Sequence, residues 1–140
     1  MKESMDIECL RLSDIQPSQF YLSQGKVNRI KQWFEPKDLS NFEPLPVKLL
    51  NGKVIFTDGH TRAWVAYEAG LTKVPLMWDE DDLPWDLYQN CVDACLEREV
   101  QTVADLAERI LSPDEYKEKW LGWCKQMHEK AKVPHDNKSN

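Results

Sequence analysis

A chain of 140 residues and 16.4 kDa, with 41% hydrophobic and 30% charged residues, has the composition of one soluble globular domain with at most one appendage. Eighteen Lys/Arg against twenty-four Asp/Glu give a net charge of −6 and a pI near 5.1, which argues against unaided DNA binding through a broad basic surface. No apolar run reaches the roughly 18–20 residues of a membrane span, and residues 1–12 alternate charged with apolar side chains, unlike a signal peptide. The expected location is therefore cytoplasmic, with Cys9, Cys91, Cys95 and Cys124 as reduced thiols.

Charge divides the chain in two. Residues 1–78 carry a net +1 and residues 79–140 a net −7, and the change falls at Trp78-Asp79-Glu80-Asp81-Asp82. The first part reads as mixed strand and helix, and residues 7–12 are expected to form a short strand. Asp14-Ile15-Gln16-Pro17-Ser18 is turn chemistry. Ser23 is placed to cap a helix whose stripe is Val27, Ile30, Trp33 and Phe34, and Pro36 ends it. Strands at 47–50 and 53–57 flank Asn51-Gly52, the pair that a type I′ hairpin turn requires. Asp58-Gly59 then leads into a helix over 61–69, with Gly70 just past its end. One more strand is expected at 74–78.

The second part reads as helical throughout. Pro84 opens a helix with Trp85, Tyr88, Cys91, Val92, Cys95 and Leu96 on one stripe. Thr102 to Asp105 starts a short helix with Val103, Leu106 and Ile110 inward. Ser112-Pro113-Asp114-Glu115 is a capping box before a helix that runs to about Lys132. The resulting fold class is α/β (α+β): a mixed-sheet domain over 1–79, a helical subdomain over 80–133 packed on it, and a disordered tail at 134–140.

The chemistry concentrates at Asp58-Gly59-His60-Thr61-Arg62, where a hairpin feeds a tight turn that opens a helix. Unpaired amides at a helix N-terminus attract anions. Gly59 would allow a phosphate close to the backbone, and His60, Thr61 and Arg62 would add donors on the first turn. Each residue also has a purely structural reading: Asp58 as a cap, Gly59 as a turn residue, His60 as a core imidazole, Arg62 as a surface ion pair.

These residues, with Pro46-Val47 upstream and Ala63, Ala66, Gly70 and Val74-Pro75 downstream, resemble the partition-protein/sulfiredoxin (ParB/Srx) superfamily. The likeness covers roughly residues 7–79, and Asp14-Ile15-Gln16-Pro17 resembles the family's opening motif. It implies a compact α/β fold that holds a phosphate or nucleotide at the Gly-x-x-Arg turn. Sulfiredoxins carry a catalytic cysteine directly after the motif glycine. His60 stands there, so sulfinic acid reduction is not expected. Partition proteins carry Glu-Arg-Arg in that run, of which only Arg62 is present, and the acidic second half offers no basic recognition helix. The turn is closest to that of free-serine kinases of the superfamily. Those kinases take a catalytic carboxylate from the loop before the first helix, and residues 19–25 contain none.

On this likeness the expected function is nucleotide or phosphate binding, and as an enzyme the chain would be a small-substrate phosphotransferase or NTPase. His60 and Asp58 are the catalytic candidates. Gly59, His60, Thr61, Arg62 and Trp64 are the ligand-binding ones, with Trp64 or Trp33 beside a base. The implied cofactors are ATP, ADP or CTP with Mg²⁺. The alternative is a non-enzymatic binding module in a DNA-processing or mobile-element context, its acidic half meeting a protein partner. Direct DNA binding is expected to be weak at most, and no membrane association is expected. Cys91/Cys95 and Cys124/His128 are i, i+4 pairs that could face one another as a zinc site. The cysteines fall inside apolar stripes, however, so no structural zinc is expected. The acidic run 79–82 reads as a solvated loop in preference to a cation site.

Overall fold

The computed structural model describes residues 6–139, with side chains described through residue 130. It is a mixed α/β fold. Strand β1 (Leu22–Ser23) leads into helix α1 (Gln24–Trp33). Strands β2 (Leu45–Leu50) and β3 (Lys53–Phe56) follow, then helix α2 (His60–Glu68) and strand β4 (Leu76–Trp78). Beyond them lie α3 (Trp85–Glu97), β5 (Ile110–Leu111), α4 (Pro113–Tyr116) and α5 (Gly122–Ser139), with a π-helical turn, Lys117–Leu121, joining the last two helices. The tail expected at 134–140 lies outside the residues whose side chains are described.

The main sheet has the order β3-β2-β4, with β2 antiparallel to β3 and parallel to β4. The hairpin turn is as the Asn-Gly pair requires: Asn51 has φ 50° and Gly52 φ 84°. Gly70, with φ 97°, lies just past Ala69 at the end of α2. Gln16 extends the sheet beyond β3. Its N–H donates to the Val54 carbonyl at 2.9 Å and its own carbonyl accepts from Phe56 N–H at 3.0 Å.

Two expectations need correction. Residues 7–12 do not form a strand; 3₁₀ turns occupy Ile7–Cys9 and Leu12–Asp14, each closed by an aspartate that accepts a nearby backbone amide. A short apolar-rich stretch does not by itself distinguish a strand from such turns. The second half is not helical throughout either, because Ile110–Leu111 pairs in parallel with Leu22–Ser23. That contact has no local signal, since its partner lies more than eighty residues away in the chain.

The core runs through both halves. Ile15, Phe20, Leu22, Val27, Leu45, Val47 and Phe56 from the first half are buried, as are Val100, Val103 and Leu106 from the second. The amide of Gln16 fixes the seam by donating to the carbonyl of Val100 at 2.8 Å. Arg98 lies 4.2 Å from the centroid of the Phe20 ring, and Arg109 5.3 Å from that of Tyr21. These arginines of the acidic half are therefore occupied in packing. No described helix is long and apolar enough to cross a membrane.

Candidate functional site

The site begins where β3 ends. Thr57 closes the strand. Its N–H donates to the Pro46 carbonyl at 3.1 Å, and its hydroxyl donates to Asp79 Oδ2 at 2.6 Å. From α3, the Tyr88 hydroxyl donates to the Thr57 carbonyl at 3.2 Å. Asp79 is itself buried and accepts Asp81 N–H at 3.0 Å on its other oxygen. The first residue of the acidic run is thus a structural tie between β3 and β4, not part of a solvated loop. Around it, Glu80, Asp81 and Asp82 are exposed.

The chain then turns through Asp58 and Gly59. Gly59 is the N-cap of α2 with φ 77°, a left-handed conformation that L side chains rarely adopt. A Cβ there would stand 2.6 Å from Leu45 Cδ2 and 3.0 Å from Arg62 Nη2. Glycine is therefore required twice, for the backbone and for the space that the guanidinium and Leu45 occupy. Asp58 Oδ1 accepts the Gly59 N–H at 2.8 Å. No side chain caps the helix, so the amides of His60, Thr61 and Arg62 are left without an intrahelical partner at its first turn.

His60 lies deeper than a ligand-facing first-turn residue would. It is only 4% exposed, packed against Phe56, and its Nε2 accepts the Ser18 backbone N–H at 2.9 Å. A ring nitrogen that accepts carries no proton, so the neutral ring holds its hydrogen on Nδ1. Burial pushes the pKa down from 6.5 to about 4, against a smaller opposing pull from Asp58. Nδ1 has no hydrogen-bond partner. The Ser18 hydroxyl donates to the Phe56 carbonyl at 2.7 Å, so the loop before β1 is tied to both β3 and α2.

Arg62 is half-exposed. Its Nη1 donates to the Glu43 carbonyl at 2.9 Å, and its guanidinium lies 5.8 Å from the centroid of the Phe42 ring. It borders two open clefts. One, of about 610 Å³, lies between α1 and the start of α2, walled by Lys26, Arg29, Trp33, Asp58, His60 and Thr61 among others. The second, of about 510 Å³, is acidic and includes Glu43, Asp58, Asp79, Glu80 and Asp81. Among the described residues, Lys26, Arg29 and Arg62 form no ion pair. Lys26, Arg29 and Arg62 thus line one cleft with the uncapped start of α2, although Lys26 Nζ also lies 5.0 Å from the centroid of the Tyr116 ring, and the arrangement is suited to an anion of more than one charge.

Of the residues expected from sequence, Asp58, Gly59, His60, Thr61 and Arg62 come together on this cleft. Trp64 does not. It is 6% exposed, set in the core, with Lys31 Nζ 5.6 Å above its ring. Trp33, expected on the inward stripe of α1, is 44% exposed and lines the cleft instead. Lys26, Arg29 and Gln19 were not anticipated. Their signal was the i, i+3, i+7 spacing of Lys26, Arg29 and Trp33, which puts them on one helix face. No three His, Cys, Asp or Glu side chains converge as metal ligands among the described residues. Compared with protein-family models, with curated proteins and with solved structures, the chain matches none.

Proposed function

We propose that the chain binds a phosphate-bearing ligand, a nucleotide or a phosphorylated small molecule, at the start of α2. The observation that carries this reading is that Lys26, Arg29 and Arg62 line one cleft of about 610 Å³ together with the uncapped start of α2. A helix N-terminus favours an anion by about 0.3–1 kcal/mol at an exposed position. A hydrogen bond from a guanidinium to a charged oxygen adds about 1.5–3 kcal/mol. The likeness of the Asp58-to-Arg62 turn to the ParB/Srx superfamily supports the same ligand class, and ATP, ADP or CTP with Mg²⁺ are the ligands it implies.

Binding is better supported than catalysis. His60 is buried and its Nε2 accepts a backbone N–H, which speaks against a general-base role. Asp58 is the one carboxylate on the basic cleft among the described residues, so in phosphotransfer or NTP hydrolysis it would be the base or the Mg²⁺ ligand. Arg62 makes one backbone hydrogen bond and faces solvent in part. Arg62→Ala should therefore weaken binding of tripolyphosphate or a nucleotide about 10- to 150-fold with little change in melting temperature. Calorimetry on wild type and variant tests this. Equal affinity, or a melting temperature lower by many degrees, would make the turn a structural corner. Turnover of the bound nucleotide, abolished in Asp58→Asn, would favour the enzyme over the binding module.

A further inference from the structure

A second cavity opens on the other side of His60. It measures about 230 Å³ and lies between the end of β3, α3 and α5. Tyr88, Cys91, Trp120, Trp123, Cys124 and Met127 give its wall flat rings and sulfur, and Ser18, Thr57 and His128 add polar groups. It shares Gln19 and His60 with the basic cleft, so the two spaces adjoin through those side chains. The π-helical turn Lys117–Leu121 sets this wall. Trp120 and Trp123 stack with centroids 5.5 Å apart and planes 14° from parallel, and both meet Phe20 edge-on at 4.9 and 5.0 Å. Single π turns inside helices recur at functional sites.

The cavity is open to solvent, since Tyr88, Cys91, Trp123, Cys124 and Met127 are only half-buried and His128 is exposed, so a ligand has a way in. A void of about 150 Å³ lined by apolar side chains is known to take up benzene, so 230 Å³ admits one somewhat larger flat ring. Polarisable thiols and thioethers beside aromatic rings suit such an occupant. At the junction, His60 Nδ1–H is a buried donor without an acceptor. Gln19 spends its amide N–H groups on the Tyr21 carbonyl at 2.8 Å and the Tyr116 hydroxyl at 3.0 Å, which leaves its carbonyl oxygen without a described partner.

Resting on the phosphate-binding reading, we infer that this cavity receives a flat aromatic or heteroaromatic ring carried by the same ligand whose phosphate lies at the start of α2. The ligand class is then a phosphate ester or anhydride with a ring at its far end. A bare polyphosphate or an aliphatic phosphate would fill only half of the site.

The experiment compares four probes by calorimetry: tripolyphosphate, which has no ring; ATP and CTP, which have both parts; and adenosine, which has no phosphate. The proteins are wild type, Cys91→Phe, which fills the cavity from α3, and Met127→Trp, which fills it from α5. Stacking of one ring predicts that ATP or CTP binds about 5- to 150-fold tighter than tripolyphosphate. Both variants should erase that advantage and leave the tripolyphosphate affinity within about twofold. Circular dichroism establishes that at least one variant is folded. Equal binding of tripolyphosphate and both nucleotides to wild type would overturn the inference while leaving the phosphate reading intact. So would an advantage that survives in a folded variant, which would place the ring elsewhere, as on Trp33. Binding of adenosine without any binding of tripolyphosphate would instead refute the phosphate reading, and with it the shared ligand.

Discussion

Lowering the pH from 7 to 5 should destabilise this protein more than a variant that lacks the His60 imidazole. In the native state the ring is buried, its Nε2 accepts the Ser18 amide, and its pKa is pushed down from 6.5 to about 4. In the unfolded chain the ring takes up a proton near its ordinary value. Between the two values the unfolded state binds more protons, so the stabilisation is complete above pH 6.5 and is lost as pH falls toward 4. At ~1.4 kcal/mol per unit of pKa the full loss is about 3 kcal/mol, of which about 2 kcal/mol falls between pH 7 and 5. His60→Gln keeps an oxygen acceptor for Ser18 N–H and removes the titration. Urea unfolding of both proteins at pH 7 and 5 isolates the imidazole, because other groups contribute equally and cancel. Wild type should lose about 2 kcal/mol more than the variant. If the two proteins lose the same amount, the native imidazole protonates freely and the Ser18 hydrogen bond does not hold it neutral.

Other substitutions test the rest of the turn. Gly59→Ala puts a Cβ at φ 77° and 2.6 Å from Leu45 Cδ2. Thermal unfolding should show a loss of about 1–3 kcal/mol, and anion binding should weaken with it because Arg62 is displaced. Asp79→Ala leaves the Asp81 amide without its acceptor and the Thr57 hydroxyl with only the longer contact to the Pro46 carbonyl at 3.4 Å. It should cost about 1–3 kcal/mol, whereas Asp82→Ala at an exposed neighbour should stay within about 0.5 kcal/mol. Cys95 is buried in the core and Cys91 and Cys124 pack half-buried, and among the described residues no three His, Cys, Asp or Glu side chains converge. Elemental analysis of the purified protein should find no stoichiometric zinc, and chelator should leave the melting temperature unchanged.

What could be read in advance depended on whether a residue's role was local. The Asn51-Gly52 turn, the Ser112 cap and the glycine past α2 are dictated by backbone chemistry within four residues. All three stand where the sequence places them: Ser112 Oγ accepts Glu115 N–H at 3.2 Å, with Pro113 at the first helical position. Ser23 precedes α1 as expected, yet its side chain makes no capping bond. The cap is dispensable there because the residue is also in β1, where pairing with β5 fixes its backbone. Asp79 shows the opposite case. Its burial follows from Thr57, twenty-two residues earlier, and no pattern in Asp-Glu-Asp-Asp marks which carboxylate turns inward.

The turn at Gly59 combines both kinds of information. Glycine followed by a helix can be read locally, and so can an arginine on the first turn. Whether His60 faces solvent or core cannot, because that depends on the Ser18 amide arriving from a loop forty-two residues upstream. With that bond His60 anchors the helix end from the core side, while Arg62, held by one backbone hydrogen bond, is the first-turn side chain proposed to meet a ligand. A neutral ring there also avoids a charge inside the core, where an imidazolium would be costly without a paired anion. A histidine kept neutral by burial therefore holds the geometry of the proposed anion site, for which Lys26, Arg29 and Arg62 would provide the positive charge.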